Sequence, residues 1–229
     1  MSVLVVIPAR GGSKGVPRKN LREVAGVPLV GRTVATALAA RRVDRVVVST
    51  DDEEIMDRAR AYGAETVRRP REISGDAIMP EAAVVHALGE LERDGYRPDI
   101  TVMLQNTAPL AAPDDIDGAI DLMLADGADS VFAAARFFYF LWGRDEHGAA
   151  VALNHDATVR IGRQDLAPQY IEAGSVYAMR TTGLLAHGHR FFGRVAIYEI
   201  PRERAVEIDE EGDFALAEAR LLAANGVRR

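Results

Sequence analysis

The chain contains no cysteine, which excludes disulfides, zinc–thiolate centres and thiol nucleophiles and leaves its chemistry to oxygen and nitrogen groups. No apolar run approaches the roughly 20 residues of a membrane-crossing helix, so a membrane span is excluded. Positive charge is also short: 28 Lys and Arg against 34 Asp and Glu give a net charge of −6. A nucleic-acid binder would usually carry a basic face, and none is expected here. The opening MSVLVVIPAR lacks the basic flank and small-residue cleavage pattern of a signal peptide, and the expected location is the cytoplasm. No internal repeat or low-complexity linker interrupts the chain. Its 229 residues are therefore expected as one domain, 1–229.

What is present is an alternation of two periodicities. Val3 to Ile7 and Arg45 to Ser49 are continuous β-branched runs leading into polar residues, as buried parallel strands do. Between them Val30 to Ala40 has helical spacing, and Gly26 and Pro28 mark its approach. Asp51 and Asp52 stand where acidic side chains cap a helix, and Ile55, Ala59 and Tyr62 repeat on one face up to Gly63. The pattern continues with a helix over 81–93, a strand over 100–104, a helix over 114–125 and a strand over 130–134. Strands over 175–179 and 195–200 and a closing helix over 211–224 follow. Such alternation predicts an α/β fold, a doubly wound, mostly parallel sheet of Rossmann-like type. The regularity breaks over about 136–172, where Phe137 to Trp142 are rich in aromatics, and an inserted hairpin or arm is expected there. That cluster reads as packing, a subunit contact or a base-stacking platform. His86 falls in a predicted helix, and His187 and His189 are expected in loops; the histidines show no metal-ligand spacing.

Ligands of open α/β sheets bind beyond the carboxyl ends of the strands. The loop after the first strand is Pro8-Ala9-Arg10-Gly11-Gly12-Ser13-Lys14-Gly15, and Arg10, Lys14, Arg18, Lys19 and Arg22 crowd this stretch of an acidic protein. Glycines let backbone amides approach phosphate oxygens, and Arg10 and Lys14 supply charge. The loop is neither a Walker A nor a GxGxxG motif. Taken alone, it reads equally as a phosphate cradle or as an exposed turn with solvated basic residues. Near the end, Glu207 and Asp209 flank Ile208, and alternation puts both carboxylates on one side, as two oxygen ligands of a hard cation require. The competing reading has Asp209, Glu210, Glu211 and Asp213 simply capping the last helix.

The string IPARGGSKGVPRKNL closely resembles the nucleotide-binding signature of the acylneuraminate cytidylyltransferases, which make CMP-sialic acid and related CMP-activated acid sugars. Further matches follow in order: VSTDDEEI, RRPREISGD with Arg69, Pro70 and Asp76, LQNTAPL beside the family's LQPTSPLR, RQDLAPQYIEAGSVYAM beside a segment ending in NGAIY, and AVEIDEEGDFALAEA beside IDIDTEEDF. The resemblance implies a cytidylyltransferase that uses CTP and Mg²⁺ to couple CMP to an acidic sugar with release of pyrophosphate. It assigns Arg10 and Lys14 to the triphosphate and to catalysis. The nucleotide site would comprise Ala9, Arg10, Gly11, Gly12, Ser13, Lys14, Lys19, Asn20, Arg69 and Asp76. Asp209, with Glu207, would hold the metal; the family has aspartate where Glu207 stands. Gln105, Arg163, Tyr177, Phe191 and Phe192 would meet the acceptor, although Arg163 reads equally as a surface partner of Asp165 and the two phenylalanines as plain core. A homodimer is implied, with each 136–172 arm reaching toward the partner's site.

Several positions depart from the pattern. Asn106 replaces a proline, Ala111 an arginine, Ala173 an asparagine, and Met79 and Pro80 stand where hydroxyl residues are usual. These changes fall on the acceptor pocket and partly on the base, which keeps open a different acid acceptor, of Kdo or phosphonate type, and a non-catalytic nucleotide-binding homologue.

Overall fold

The computed structural model describes residues 1–13, 15–159, 161–162 and 165–226. In chain order its first elements are β1 (Val3–Pro8), β2 (Glu23–Val24), β3 (Val27–Pro28), α1 (Leu29–Ala39), β4 (Arg45–Thr50), α2 (Glu53–Ala61), β5 (Glu65–Arg68) and α3 (Pro80–Arg93). There follow β6 (Ile100–Leu104), α4 (Pro113–Asp126), β7 (Ser130–Phe137), β8 (Trp142–Arg144), β9 (Ala150–Ala152), β10 (Gln169–Arg180), α5 (Thr181–His187), β11 (Val195–Glu199) and α6 (Glu211–Gly226).

Seven strands form one sheet in the order β11-β7-β10-β6-β1-β4-β5. Every neighbouring pair is parallel except the two made by β10, which runs antiparallel to both β6 and β7. Val3 to Ile7 of the central β1 are buried to within 1%. A strand apolar on both faces needs a helical layer on each side. One layer is α1, α2 and α4, whose Val34, Ile55 and Ile120 pack on Val5 and Val102; the other is α3 and α5, whose Val84, Leu88 and Leu184 pack on Leu4, Val6 and Met103. Each fully buried aliphatic side chain contributes about 1.5–3 kcal/mol. A third apolar cluster seats α6 on the β2–β3 hairpin through Phe214, Ala217, Val24 and Leu29.

Helix starts and stops follow local chemistry. The Asp52 carboxylate accepts from the N–H groups of Glu54 (2.9 Å) and Ile55 (3.1 Å) and so caps α2. Asp51, read from sequence as a second cap, instead accepts from Gly11 N–H at 3.0 Å, because β4 delivers it beside the first loop. Gly127, at φ 62°, ends α4 in the left-handed region.

Elements missing from the sequence pattern are short or polar. The edge strand β5 is four residues, ETVR, with no apolar run. The β2–β3 hairpin turns through Ala25 and Gly26, both at positive φ. Helix α5, TTGLLAH, carries threonines and a glycine that weaken a helical signal. His187, expected in a loop, closes this helix and stacks on Phe192 with centroids 5.2 Å apart. The β10 strand starts earlier than its apolar core suggests: Gln169–Glu172 pair with Ala134–Phe137, and the register shifts between Glu172 and Tyr177. Of the stretch 136–172, therefore, both ends belong to the main sheet. Between them β8 and β9 form a separate antiparallel hairpin.

Candidate active site

The carboxyl ends of β1, β5 and β6 open into a cavity of about 530 Å³. It is lined by Arg10, Ser13, Gly15, Lys19 and Asn20 from the first loop, Arg69, Ser74, Gly75, Asp76 and Ile78 from the segment before α3, Gln105, Asn106 and Thr107 after β6, and Glu207 and Asp209 before α6. Lys14 and Arg163 lie outside the described residues.

The first loop is held from below. Ala9 is fully buried and its N–H donates to Ser49 O at 3.0 Å, while Gly11 is fixed by Asp51 and lies so close to Asp52 that a Cβ would meet Oδ2 at 2.7 Å. Gly12 faces open space. At Gly15 an added Cβ would fall 2.3 Å from the Asp209 carbonyl oxygen, so only glycine lets this loop touch the acidic segment. Asn20 Nδ2 donates to Arg10 O at 2.8 Å, and Asn106 Nδ2 donates to Asn20 Oδ1 at 2.7 Å.

Cationic groups gather on one side. The Arg10 guanidinium meets Asp76 Oδ1 at 2.7 Å. Arg69 is only 6% exposed, and its Nε and Nη2 have no hydrogen-bond partner; Asp51 Oδ1 is 3.8 Å away. Burial lowers the pKa of Arg69, Asp51 opposes that shift, and the nearby Arg10 charge adds to it. A desolvated, incompletely paired guanidinium at a cavity wall is a ready anion site.

Carboxylates line the same cavity. Val206 and Ile208 are buried while Glu207 and Asp209 face outward, the alternation expected from sequence. Capping of α6 falls to Asp213, whose Oδ2 accepts from the N–H groups of Asp209 and Glu210, both at 2.8 Å. Glu211 is occupied by Arg22 in a bidentate pair, at 2.7 and 3.0 Å. The Asp209 carboxylate is left to the cavity and to Lys19, whose Nζ stands 3.3 Å from Oδ1 and donates to Ile208 O at 2.6 Å. Glu207 is raised above the usual carboxylate range, first by desolvation and then by the negative charges of Asp209 and Glu172. Its carboxyl packs where a side chain on Gly174 would stand, a residue at φ +56° that the bulge of β10 supplies.

The acceptor set divides. Gln105 lines the cavity, anchored by its N–H to Ser175 O at 2.9 Å. Tyr177 is 2% exposed, and its hydroxyl donates to Glu172 Oε1 at 2.5 Å. Burial and Glu172 push the phenol pKa up. The ring lies under the Arg190 guanidinium, 4.5 Å from its centroid, and Arg190 in turn pairs bidentately with the buried Glu81. Phe191 packs edge-on against Phe132, and Phe192 is buried over Gly183. Neither phenylalanine lines the cavity. Sequence reasoning gave no role to Asp51, Glu172 or Arg190. Asp51 and Glu172 both stand inside matched strings, Asp51 reading there as a helix cap, and Arg190 carries no local signal.

Comparison with known proteins bears on the family and the fold. A family model described as Cytidylyltransferase matches residues 4–220. N-acylneuraminate cytidylyltransferase A of Danio rerio is 34% identical over 223 residues, which are 96% of this chain and 51% of that protein. The chain thus spans about half the length of such relatives. Pseudaminic acid cytidylyltransferase of Campylobacter jejuni is 31% identical over 226 residues, 95% of each chain. Among solved structures, CMP:2-keto-3-deoxy-manno-octonic acid synthetase complexed with CTP superposes with a TM-score of 0.73 at 18% identity, covering 99% of this chain and 100% of that one. A 4-diphosphocytidyl-2C-methyl-D-erythritol synthase from Anaerococcus prevotii gives 0.70 at 14% identity, covering 96% of each. At such identities the two structures speak for the fold, and it is the matched family model together with the 34% identity that shows this chain to belong to the cytidylyltransferase family.

Proposed function

We propose that the protein transfers CMP from CTP to a hydroxyl of an acidic, nonulosonic-type sugar. The acceptor oxygen attacks the α-phosphorus in line, the bond to the β-phosphate oxygen breaks, and pyrophosphate leaves with that electron pair. Positioning and charge neutralisation carry most of such a reaction, and no covalent enzyme intermediate is required. The observation that carries the reading is the gathering, in one cavity, of Arg10 and the incompletely paired Arg69 with Glu207 and Asp209. Arg10, with Lys14 beside it in sequence, neutralises the triphosphate, and Lys19, Asn20 and Asp76 shape the nucleotide site.

Mg²⁺ fits the donor set. Glu207 and Asp209 offer hard oxygens and repel each other in its absence. Among the described residues no group of three or more His, Asp or Glu side chains is arranged to hold a metal by itself. Two carboxylates are enough for an ion that keeps waters and takes phosphate oxygens as further ligands. When bound, it would add positive charge at the reacting phosphates.

Gln105 is assigned to the acceptor, Tyr177, which like Phe191 and Phe192 does not line the cavity, to packing behind it with them, and Arg163 to its carboxylate. We further infer a cytoplasmic homodimer. Support for the dimer comes from the hairpin region, where Tyr139, Trp142 and Leu153 are 47%, 53% and 64% exposed, an apolar surface that a second subunit would cover. Among the described residues no helix is long and apolar enough to cross a membrane.

A second reading changes the acceptor to a Kdo-type sugar or a phosphonate. It is favoured by Ala111 and Ala173, which bring no polar side chain where the family pattern has arginine and asparagine; Ala173 is 1% exposed. Pyrophosphate release from each NTP, with Mg²⁺ and a panel of acid sugars and phosphonates, tests both. Release only with CTP and a nonulosonic acid is expected. CTP binding without release for any acceptor would leave a non-catalytic homologue.

A further inference from the structure

The turn after β6 touches three parts of the cavity through three consecutive residues. Gln105 faces the cavity, Asn106 reaches the first loop, and the Thr107 carbonyl accepts from Ile208 N–H at 2.8 Å, between the two carboxylates. We infer that Asn106 is a positioning residue for the transfer: through Asn20 it fixes the Arg10 backbone relative to Glu207 and Asp209. This rests on the proposed cytidylyl transfer.

The polarity of the relay is set at one end. A carbonyl oxygen only accepts, so Arg10 O at 2.8 Å requires Asn20 to present Nδ2 to it. Asn20 Oδ1 then faces Asn106, which must present its own Nδ2, at 2.7 Å. Both amides are buried, at 6% and 3% exposure, so water does not substitute for either bond. Asn106 Oδ1 is left without a partner. A side chain that tolerates a buried orphan acceptor is retained for the bond at its other end. Proline, the residue of the family pattern at this position, has no side-chain donor and would leave Asn20 Oδ1 without this one.

Because Thr107 holds the carboxylate segment and Asn106 holds the Arg10 loop, slack at Asn106 separates the two charged walls. The remaining contacts still grip the nucleotide, so alignment suffers more than affinity. Asn106→Asp is nearly isosteric, yet turns an acceptor toward Asn20 Oδ1; Asn106→Ala removes the donor. The experiment measures kcat and KM for CTP by pyrophosphate release, CTP affinity by calorimetry, and both again in Asn20→Ala and the double variant Asn20→Ala/Asn106→Ala. Per CTP-binding site, kcat is expected to fall about 30-fold in Asn106→Asp while KM rises less than about fivefold. The double variant is expected to match Asn20→Ala alone in kcat and in CTP affinity, because one relay is cut twice. Additive losses, or wild-type kinetics in Asn106→Asp, would overturn the inference, as would a lower melting temperature with unchanged kcat per binding site. If the wild type binds CTP without turnover, the transfer reading fails, and the CTP affinities of the same four proteins still decide the relay: equal weakening in the double variant and Asn20→Ala supports it, additive weakening refutes it.

Discussion

Two regions of the molecule are built on opposite principles. Around the first loop, short polar links tie every wall to another: Asp51 to Gly11, Asn106 to Asn20 to Arg10, Lys19 to Ile208. Around the β8–β9 hairpin, Trp142 and Leu153 are more than half exposed beside an exposed charged turn, Arg144 to His147, with links such as Asn154 to Tyr139 O at 2.8 Å. Charge must be placed to within fractions of an ångström to act on phosphates, and buried hydrogen bonds supply that rigidity. An apolar surface needs area and shape, and a partner can complete it. The first region is tied together by residues of this chain, whereas the second leaves large apolar side chains in solvent.

The contrast is broken most sharply at Asp209. With α6 capped by Asp213, Asp209→Ala should leave the fold intact and reduce turnover by more than about 100-fold, the scale of losing one electrostatic group at the reacting centre. A circular dichroism melt close to wild type beside abolished pyrophosphate release is the expected pair of results. An unaltered rate at saturating Mg²⁺ would remove Asp209 from the chemistry.

Arg69 sharpens the comparison, because its charge is buried with Nε and Nη2 unpaired. Arg69→Met replaces a desolvated cation by an apolar side chain of similar length. CTP affinity should fall about 10- to 100-fold, the weight of one charge-assisted contact, while the ligand-free protein melts higher. Calorimetry and thermal melts read the two effects, and a protein that loses stability would show that Asp51 at 3.8 Å already satisfies the guanidinium.

At the open end, Trp142→Glu combined with Leu153→Glu should shift the protein from dimer to monomer in sedimentation while leaving its melting temperature within about 3 °C, since both side chains are solvated within one subunit. Mixing Arg163→Ala with Asp209→Ala chains asks whether that interface completes the site. Restored activity in the heterodimers is expected; its absence, with heterodimers present, would separate arm from site.

The smallest effect concerns Glu207. Its carboxyl is raised in the folded protein, so the fold holds a proton that the unfolded chain releases. The associated stability is full below the ordinary glutamate range and is lost as pH rises through the folded value. When ionised, the group stands against the negative charges of Asp209 and Glu172. Glu207→Gln should then raise the melting temperature by about 2 °C at neutral pH without Mg²⁺, with no gain below about pH 4. A gain that persisted in acid would point to packing against Gly174 instead.

Long apolar runs announced β1, β4 and β6, and the helical spacing of α1, α3 and α4 agreed to within one or two residues. What stayed hidden was short, polar or set by distant partners. The ETVR strand has no pattern of its own and exists because β4 presents an unpaired edge. The early start of β10 is concealed by a bulge at Gly174, and that bulge admits the Glu207 carboxyl. At the site, Arg10, Lys19, Asn20, Arg69, Asp76, Gln105, Glu207 and Asp209 were all named from motifs, and the cavity brings them together. Between a metal pair and a set of helix caps the sequence offered no choice, since both need acidic side chains at that spacing. The fold assigned the capping to Asp213 by placing its carboxylate against two backbone N–H groups.

By itself, the sequence determined the layered sheet and the family, because periodicity and motif are properties of neighbours along the chain. Only the tertiary structure decided that Arg69 is buried without full pairing, that Asn106 reaches Arg10 through Asn20, and that Glu172 bears on Glu207. Burial, hydrogen-bond completion and charge repulsion depend on distances across the fold between residues as much as 86 positions apart, and no local pattern encodes such distances.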